Sequence, residues 1–344
     1  MKQIALLLSS ISLQLSAFAQ GPLTPPGAPA PTMKTLEQIE PRTLITNLPY
    51  SITQAGSYYL TTNLTCSACT NISAPGIKIQ TSGVTLDLMG FELVGPGAGL
   101  ADGISVFASV TNICVHTGSV RNWGNNGLNS SALGGQYQHL RLGGNGSEGI
   151  RTGPGSVVSD CIAIGNGVTT GSYGIDLGRD SIARDCVAIS NNVTGFRADI
   201  GATISACTSR GNTTGFEVRN GAVITGCTAI ENSLDGISAT DRCRVIGNLC
   251  IGNGFAGTGI HIFGYGNVVD GNTAISNNIN AVGLRGGIVC IGGNHNLIIR
   301  NQATGNGLAD YNLTGTNAVG DIITVFSTSG VPITSANPWA NFIY

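Results

Sequence analysis

The stretch GIDLGRDSIARDCVAISNNVTGFRADIGATISACTSRGN, residues 174–212, contains two copies of one pattern. In each copy a glycine and an apolar residue open the repeat. A cysteine follows twelve residues after the glycine, and an asparagine follows seventeen residues after it. The two sets of glycine, cysteine and asparagine are Gly174, Cys186 and Asn191, then Gly195, Cys207 and Asn212. A pattern that recurs at a fixed spacing predicts a repeat architecture.

The pattern extends in both directions from this stretch. Complete copies flank it at Gly149, Cys161 and Asn166, and at Gly215, Cys227 and Asn232. The next copy begins at Gly236, keeps Asn253 and has Asn248 at the cysteine position. Looser copies begin at Gly76, Gly103, Gly127, Gly259 and Gly287. The period is near 22 residues, which is typical of a solenoid.

Each copy contains a short alternation of apolar and polar residues. In Ile175-Asp176-Leu177 the outer two side chains are expected inside and the middle one outside, as in a β-strand. Glycine and asparagine recur where the chain must turn, because both tolerate positive φ. No helical stripe follows Pro41, and the leucine frame of leucine-rich repeats is missing. The sequence therefore predicts one all-β domain, a parallel β-helix of about ten coils.

Three groups of residues resemble a known superfamily. They are residues 83–95 (GVTLDLMGFELVG), residues 112–123 (NICVHTGSVRNW) and the later repeats that contain Cys-x-Ala or Cys-x-Ser. The chain resembles the pectin-lyase-like right-handed parallel β-helix superfamily, and the right hand is implied by this resemblance alone. Residues 35–45 and 337–342 resemble the ends of bacterial secreted β-helix repeat proteins of unassigned activity. The superfamily contains lyases, hydrolases, epimerases and non-enzymes, so the resemblance implies a fold and not a reaction.

The composition and the chain ends restrict the class of protein. The net charge is −2 and charged residues are 10% of the chain, without a basic block, so a nucleic-acid partner is not expected. Residues 1–19 are typical of a signal peptide, which predicts a secreted protein, periplasmic, on the cell surface or extracellular, with no membrane span after cleavage. The expected segments are a Pro-rich linker at 20–32, an N-terminal cap with a short helix at 33–60, the β-helix at 61–307 and a C-terminal cap at 308–344.

The repeated cysteines and asparagines are expected at fixed inward or turn positions. One cysteine per coil predicts an interior stack of free thiols, which behave as small hydrophobic groups. The asparagines seventeen residues after each glycine predict a ladder of side-chain hydrogen bonds, with a sugar-binding row as the alternative. Cys66 and Cys69 lie in a polar loop outside this pattern, where a local disulfide remains an open alternative.

The residue two places after each repeat glycine is expected to face solvent. This column is Lys78, Ser105, Asn129, Arg151, Asp176, Arg197, Glu217, Ser238 and His261. One interpretation is a salt-bridge ladder that fixes the register of the coils. The functional hypothesis is a groove that binds an extended, acidic polysaccharide, with Lys78, Asn129, Arg151 and His261 as binding residues. A structural or surface-attachment rod is a third possibility. An ice-binding face is disfavoured because the Thr208 and Thr228 column also contains Ile162, Val187 and Leu249.

Catalysis is the alternative function for the same column, with Asp176, Arg197 and Glu217 as candidates. A lyase acting on uronic acids would need calcium, the only candidate cofactor, with Asp176, Asp180, Asp199 and Glu217 as possible ligands and Arg197 or Arg151 as base. A glycoside hydrolase would use Asp176 and Glu217, about 9.6 Å apart at the backbone. Arg197 between them is expected to keep both ionised, which opposes a general acid. The polygalacturonase, pectate lyase and alginate epimerase motifs are missing.

Overall fold

The computed structural model describes residues 40–72, 74–168, 172–254, 257–280, 285–325 and 335–344. The chain divides into two units, Met1–Pro41 and Arg42–Tyr344, and almost all of the first unit lies outside the described residues. The predicted signal peptide and linker therefore also lie outside the described residues. The same holds for the predicted short helix, apart from its last residue, Glu40. Within the described ranges no helix is long and apolar enough to cross a membrane.

The second unit is a solenoid whose strands form three stacks, and the front stack is a twelve-stranded parallel sheet. It carries the column of the sequence hypothesis. Its strands are Tyr50–Ile52, Ile77–Ile79, Ile104–Val106, Leu128–Ser130, Ile150–Arg151, Tyr173–Leu177, Thr194–Ala198, Thr214–Val218, Ile237–Ala239, Ile260–Ile262, Ile288–Cys290 and Tyr311–Leu313.

The side stack and the rear stack together form the second sheet, which has twenty-four parallel strands. The side stack comprises Thr43–Leu44, Gly56–Tyr59, Val84–Asp87, Ile113–Arg121, Gln136–Gly143, Val157–Ser159, Ile182–Arg184, Thr203–Ser205, Val223–Thr225, Arg244–Ile246, Val268–Asp270, Leu297–Ile299 and Ala318–Val319. The rear stack comprises Leu64–Thr65, Glu92–Val94, Ile162–Ile164, Val187–Ile189, Thr208–Arg210, Thr228–Ile230, Leu249–Ile251, Thr273–Ile275, Gln302–Thr304, Ile322–Thr324 and Asn341–Ile343. Ile113–Arg121 and Gln136–Gly143 are long enough to take part in both stacks.

The strand pairing confirms the parallel β-helix expected from the repeat and from the resemblance to the pectin-lyase-like superfamily. The expected coil count was too low, because the front stack has twelve strands rather than about ten. The first and last of these strands were missed because Pro49 and Asp310 precede them where most coils have a glycine. Part of each segment expected as a cap therefore forms strands, and the described residues contain no helix.

The predicted asparagine ladder is confirmed at the corner between the rear and front stacks. Asn166 Nδ2 donates to Asn191 Oδ1 over 2.9 Å, and Asn191 Nδ2 donates to Asn212 Oδ1 over 3.1 Å. The ladder also explains the repeat glycine. A Cβ on Gly174 would lie 2.6 Å from Asn191 Nδ2, closer than real Cβ atoms approach. From Gly127 to Gly287 the repeat glycine thus makes room for the asparagine side chain, which opposes the sugar-binding alternative for this row.

The predicted thiol stack is also confirmed. Eight of the cysteines are free, and seven of those eight are buried. Hydrogen bonding to Cys186 and burial raise the pKa of the Cys161 thiol well above its usual range. In the polar loop Cys66 and Cys69 form a disulfide, which was one of the two alternatives left open by the sequence.

Candidate functional site

The outward column of the front stack is one continuous row in the strand register, although Asp176 and His261 within it are buried rather than open to solvent as expected. Arg151 pairs with Asp176, Asp176 with Arg197, and Arg197 with Glu217. The row continues through Ser238 to His261. Successive side chains are therefore about 4.8 Å apart along the rod. The repeat positions had predicted this alignment, whereas the functional roles of the residues remain hypotheses.

Asp176 is the centre of a charged cluster in the middle of the row. Its Oδ1 accepts a hydrogen bond from Arg197 Nη1 over 2.8 Å, and its Oδ2 lies 3.7 Å from Arg151 Nε. Only 6% of the Asp176 side chain is exposed, against 57% for Arg151. The Arg197 guanidinium also lies over the Tyr173 ring at 5.3 Å. Burial raises the pKa of Asp176, and the Arg197 and Arg151 charges oppose that rise.

Glu217 departs from the expected salt-bridge ladder. Its carboxylate accepts hydrogen bonds from Arg219, two residues along the same strand, at 2.7–2.8 Å. Among the described residues, ion pairs between neighbours of the row therefore end at Arg197. The expected bridging of Asp176 and Glu217 by Arg197 is replaced by a separate arginine for each carboxylate. Glu217 and Arg219 line an open cleft of about 390 Å³, together with Asp199.

The N-terminal part of the row, which includes Lys78 and Asn129, makes other contacts than the ion pairs around Asp176. The Lys78 ammonium lies 4.9 Å from the centre of the Phe107 ring. Asn129 donates its side-chain amide to the buried Asp102 carboxylate over 3.0 Å. Asn125 and Asn126 donate to the same carboxylate. The Asn129 amide is thus committed to an internal contact, which weakens its predicted role as a binding residue.

His261 lies at the C-terminal part of the row, in a second cluster. Its Nδ1 is 3.2 Å from Asp235 Oδ2, and its ring packs on Phe263 with centroids 3.7 Å apart. Asp235 Oδ1 accepts the Thr258 backbone N–H over 2.9 Å and lies 3.6 Å from Arg285 Nη1. His261 and Asp235 are both buried. The buried Thr258 Oγ1 and Arg285 Nη1 have no hydrogen-bond partner among the described residues.

Sequence reasoning missed Asp235 and Arg285. One signal could have found Asp235, because the residue directly before the repeat glycine is acidic in three coils: Asp102, Glu148 and Asp235. All three side chains are buried beside the front row. Arg285 has no such signal, since it precedes two adjacent glycines in an irregular coil and reaches Asp235 from a different part of the chain.

The residues proposed as calcium ligands do not come together as a metal-binding group among the described residues. Asp180 lies beyond the C-terminal end of its front strand, whereas Asp199 directly follows Ala198 and lines the cleft beside Glu217. Across the described ranges, no three His, Cys, Asp or Glu side chains come together as a metal-binding group. Asp176 is bonded to guanidinium groups, which compete with a cation for its oxygens.

Comparison with known proteins finds only distant structural similarity. No family model matches the chain, and no curated protein matches it. Solved structures with a similar path include the A-module of the Azotobacter vinelandii mannuronan C-5 epimerase AlgE6, at 13% identity and a TM-score of 0.47, covering 88% of this chain and 86% of that one. The pectate lyase Pel9A has 17% identity and a TM-score of 0.38, covering 80% and 68%. The Dettilon tailspike protein has 14% identity and a TM-score of 0.45, covering 88% and 61%. At these identities the similarity concerns the fold alone.

Proposed function

We propose that this protein is exported and binds an extended, acidic polysaccharide along the outer face of the front stack. The observation that carries the proposal is the in-register row from Lys78 to His261, which is polar at nine successive coils. A chain of sugars laid along the rod would meet a new side chain about every 4.8 Å.

The charges of the row favour an acidic glycan over a neutral one. Arg151 and Arg219 each pair with one carboxylate of the protein while keeping a large exposed fraction, 57% and 41% of their side chains. An arginine has five N–H donors in a planar fork, so it can bind a second carboxylate. Arg197 adds a third guanidinium at the centre of the row, paired with Asp176 and less exposed than the other two.

A binding panel with matched arginine variants tests the proposal. Pectate, alginate, a glycosaminoglycan and a neutral glucan would be titrated against the protein, with and without calcium. We expect the acidic chains to bind more tightly than the neutral one. Arg151→Ala should weaken that binding about 3- to 10-fold, because one charge-assisted contact at an exposed site contributes ~0.7–1.4 kcal/mol.

Arg210→Ala is the matched control, because Arg210 has nearly the same exposure as Arg151, 58% against 57%, but lies on the rear stack. It should leave binding unchanged. Equal losses from both variants would show non-specific attraction to positive charge, and failure of every glycan to bind would reject the front row as a binding face. Arg197→Ala is a poorer test, since it would leave the buried Asp176 with less compensation and cost stability.

The second cluster favours one further candidate function, a lyase acting on uronic acid residues. Asp235 holds His261 through Nδ1, so the other ring nitrogen, Nε2, can accept a proton. In this scheme Nε2 takes the proton on the carbon next to the sugar carboxylate, and Arg285 neutralises that carboxylate. The electron pair then forms a carbon–carbon double bond as the glycosidic oxygen leaves. His261 would replace arginine as the base, which removes the difficulty of deprotonating a guanidinium.

His261→Asn tests the lyase without removing the contact to Asp235, because the amide nitrogen of asparagine can occupy the place of Nδ1. We expect the ultraviolet absorbance of unsaturated sugar ends to appear with the wild-type protein and to be lost in the variant, while glycan binding persists. If the wild-type protein binds acidic glycans but never produces unsaturated ends, the lyase is rejected and the binding function stands.

A further inference from the structure

Two adjoining clefts lie on the outside of the solenoid, away from the front row. The first opens on the rear stack and has a volume of about 220 Å³. The second lies at the corner between the side and rear stacks and has a volume of about 310 Å³. They share Arg141 and Ile162 as lining residues, and none of the residues that line them belongs to the front row. A small ligand held there would not compete with a glycan bound along the front stack.

The first cleft exists because residue 143 is a glycine. The strand register places Gly143 between Arg121 and Ile164 on the outer face of the rear stack. A Cβ atom on Gly143 would have one neighbour within 4 Å, Ile164 O at 3.5 Å, so the space above this glycine is open. Isoleucine occupies the equivalent position in five later coils, at Ile164, Ile189, Ile230, Ile251 and Ile275. Gly143 thus leaves a gap of one side chain in this column.

Three groups around the gap have hydrogen-bond donors to spare. Arg121 donates through Nε and Nη2 to one carboxylate oxygen of Glu92, over 3.1 and 2.8 Å, which leaves its Nη1 group. The Arg141 side chain is exposed, and neither it nor the Ser119 hydroxyl has a partner among the described residues. Two guanidinium groups and one carboxylate line the cleft, so its net charge is positive. The planar fork of an arginine matches the two oxygens of a carboxylate.

The rest of the first cleft is apolar. Ile162 and Ile164 form one wall, and Leu142 adjoins the floor at Gly143. The Ile164 side chain is 48% exposed, so a ligand that covers it removes apolar surface from water. This wall offers no hydrogen bond to a hydroxyl group, which favours a hydrocarbon body over a sugar ring.

We propose that the cleft at Gly143 binds a small organic carboxylate with an apolar body. The carboxylate lies between Arg141 and Arg121, and the body covers Ile162 and Ile164. This site is separate from the front row, so it does not depend on the proposed glycan-binding function.

The second cleft limits the charge of the ligand. Asp160 lines it, with Oδ2 3.9 Å from His139 Nε2. A second anionic group on the ligand would meet the Asp160 carboxylate, and like charges at short distance repel. The two clefts together therefore select a monocarboxylate, whose apolar body can extend past Arg141.

Ligand-observed NMR titrations at constant ionic strength test the proposal, with hexanoate, glucuronate and inorganic sulfate as probes. Hexanoate should bind the wild-type protein with a dissociation constant on the order of 1 mM, as expected for a ligand of its size. Glucuronate and sulfate should bind at least about threefold more weakly, because neither buries a hydrocarbon chain. Arg141→Ala should weaken hexanoate binding about 3- to 10-fold. Gly143→Ile should abolish it, because the added side chain fills the cleft.

Arg184→Ala is the matched control for Arg141→Ala. Arg184 is also exposed and its side chain has no partner among the described residues, but it lies on the side stack outside both clefts. This variant should leave hexanoate binding unchanged. Thermal melting establishes that each variant is folded. If Gly143→Ile unfolds the protein, Gly143→Ala replaces it and should still weaken binding, because its methyl group enters the open space.

Three results would overturn the proposal. The first is sulfate or glucuronate binding as tightly as hexanoate. The second is hexanoate binding that survives the filling of the cleft in Gly143→Ile. The third is an equal loss of binding in Arg184→Ala and Arg141→Ala, which would show a general attraction of anions to exposed arginines.

Discussion

At one corner of the solenoid, two different side chains accept the same backbone hydrogen bond between coils. Between the side and rear stacks, four successive coils have cysteine and the following four have asparagine. The series is Cys161, Cys186, Cys207, Cys227, Asn248, Asn272, Asn301 and Asn341. In both halves the backbone N–H of one coil donates to the side chain of the next. Cys186 N donates to Cys207 Sγ over 3.4 Å, and Asn248 N donates to Asn272 Oδ1 over 2.9 Å.

The difference lies in how many polar groups each residue satisfies. The Asn272 side chain accepts two hydrogen bonds from Asn248 and donates one each to Val245 O and Asn301 Oδ1. The Cys207 thiol accepts one long contact and donates one, to Ser205 O. The asparagine half is therefore stabilised by a continuous polar ladder and the cysteine half mainly by packing. At this corner the repeat therefore requires a side chain that accepts a hydrogen bond from the backbone N–H of the preceding coil. A cysteine sulfur is a weak acceptor for that bond, and an asparagine amide oxygen is a good one.

The largest expected effect is on the asparagine half. Asn272→Ala should lower the free energy of unfolding by about 3–5 kcal/mol, because it leaves several buried donors and acceptors without partners. Cys207→Ala should cost about 1–2 kcal/mol, because it removes a small packing group and weak sulfur contacts. Chemical denaturation of both variants measures the difference. Equal losses would contradict the distinction between a polar ladder and a packed stack.

The sequence predicted the solenoid well because the repeat is encoded by local requirements. Gly174 makes room for Asn191, and the alternation at Ile175 to Leu177 assigns the two faces of a strand. The coil count was low because the end coils do not need that glycine. The sequence predicts a small apolar group at the corner position, because the four cysteines occupy one inward position in successive coils. Asn248 at the same position was the signal that it also accepts a hydrogen bond.

The candidate site was only partly predictable. The row from Lys78 to His261 follows from repeat register, because residues at the same offset must lie one above another. The partners of those residues do not follow from the offset. Arg219 binds Glu217 from the same strand, and Asp235 binds His261 from the preceding turn of a neighbouring coil. Such contacts depend on the conformations of long side chains and irregular turns, and the spacing of a repeat does not determine those conformations.

A smaller effect on the free energy of unfolding should distinguish the cysteine half of the corner from the asparagine half at alkaline pH. Hydrogen bonds with Cys186 and Cys227, together with burial, raise the pKa of Cys207 in the folded protein. In the unfolded chain a thiol ionises near pH 8.5, at about its reference value. A group whose pKa is raised on folding contributes stability that is present below the unfolded pKa and is lost as pH rises toward the folded pKa. Well above pH 8.5 the wild type should therefore lose up to ~1.4 kcal/mol per pH unit through the Cys207 thiol.

Denaturation at pH 7.5, 8.5 and 9.5 measures this slope. Cys207→Ala should lose less stability than the wild type over the last interval, by about 1 kcal/mol. Asn272→Ala removes no thiol, so its slope should match that of the wild type although its stability is lower throughout. A Cys207→Ala slope equal to the wild-type slope would show that the Cys207 thiol does not resist ionisation in the folded state.

The smallest effect is expected where the two halves meet. Cys227 N already donates to Asn248 Oδ1 over 2.9 Å, and the Cys227 thiol lies 3.7 Å from Ile204 O. Cys227→Asn would place an amide where its Nδ2 can donate to both oxygens, extending the ladder by one coil. It should change the free energy of unfolding at pH 7 by less than about 1 kcal/mol. Cys227→Leu is the contrasting variant, because a purely apolar position would accept it, whereas an acceptor position would lose the contact from Cys207 N and be overpacked by about 1–3 kcal/mol. If leucine is tolerated and asparagine is not, the corner is a hydrophobic column in its cysteine half and the ladder begins only at Asn248.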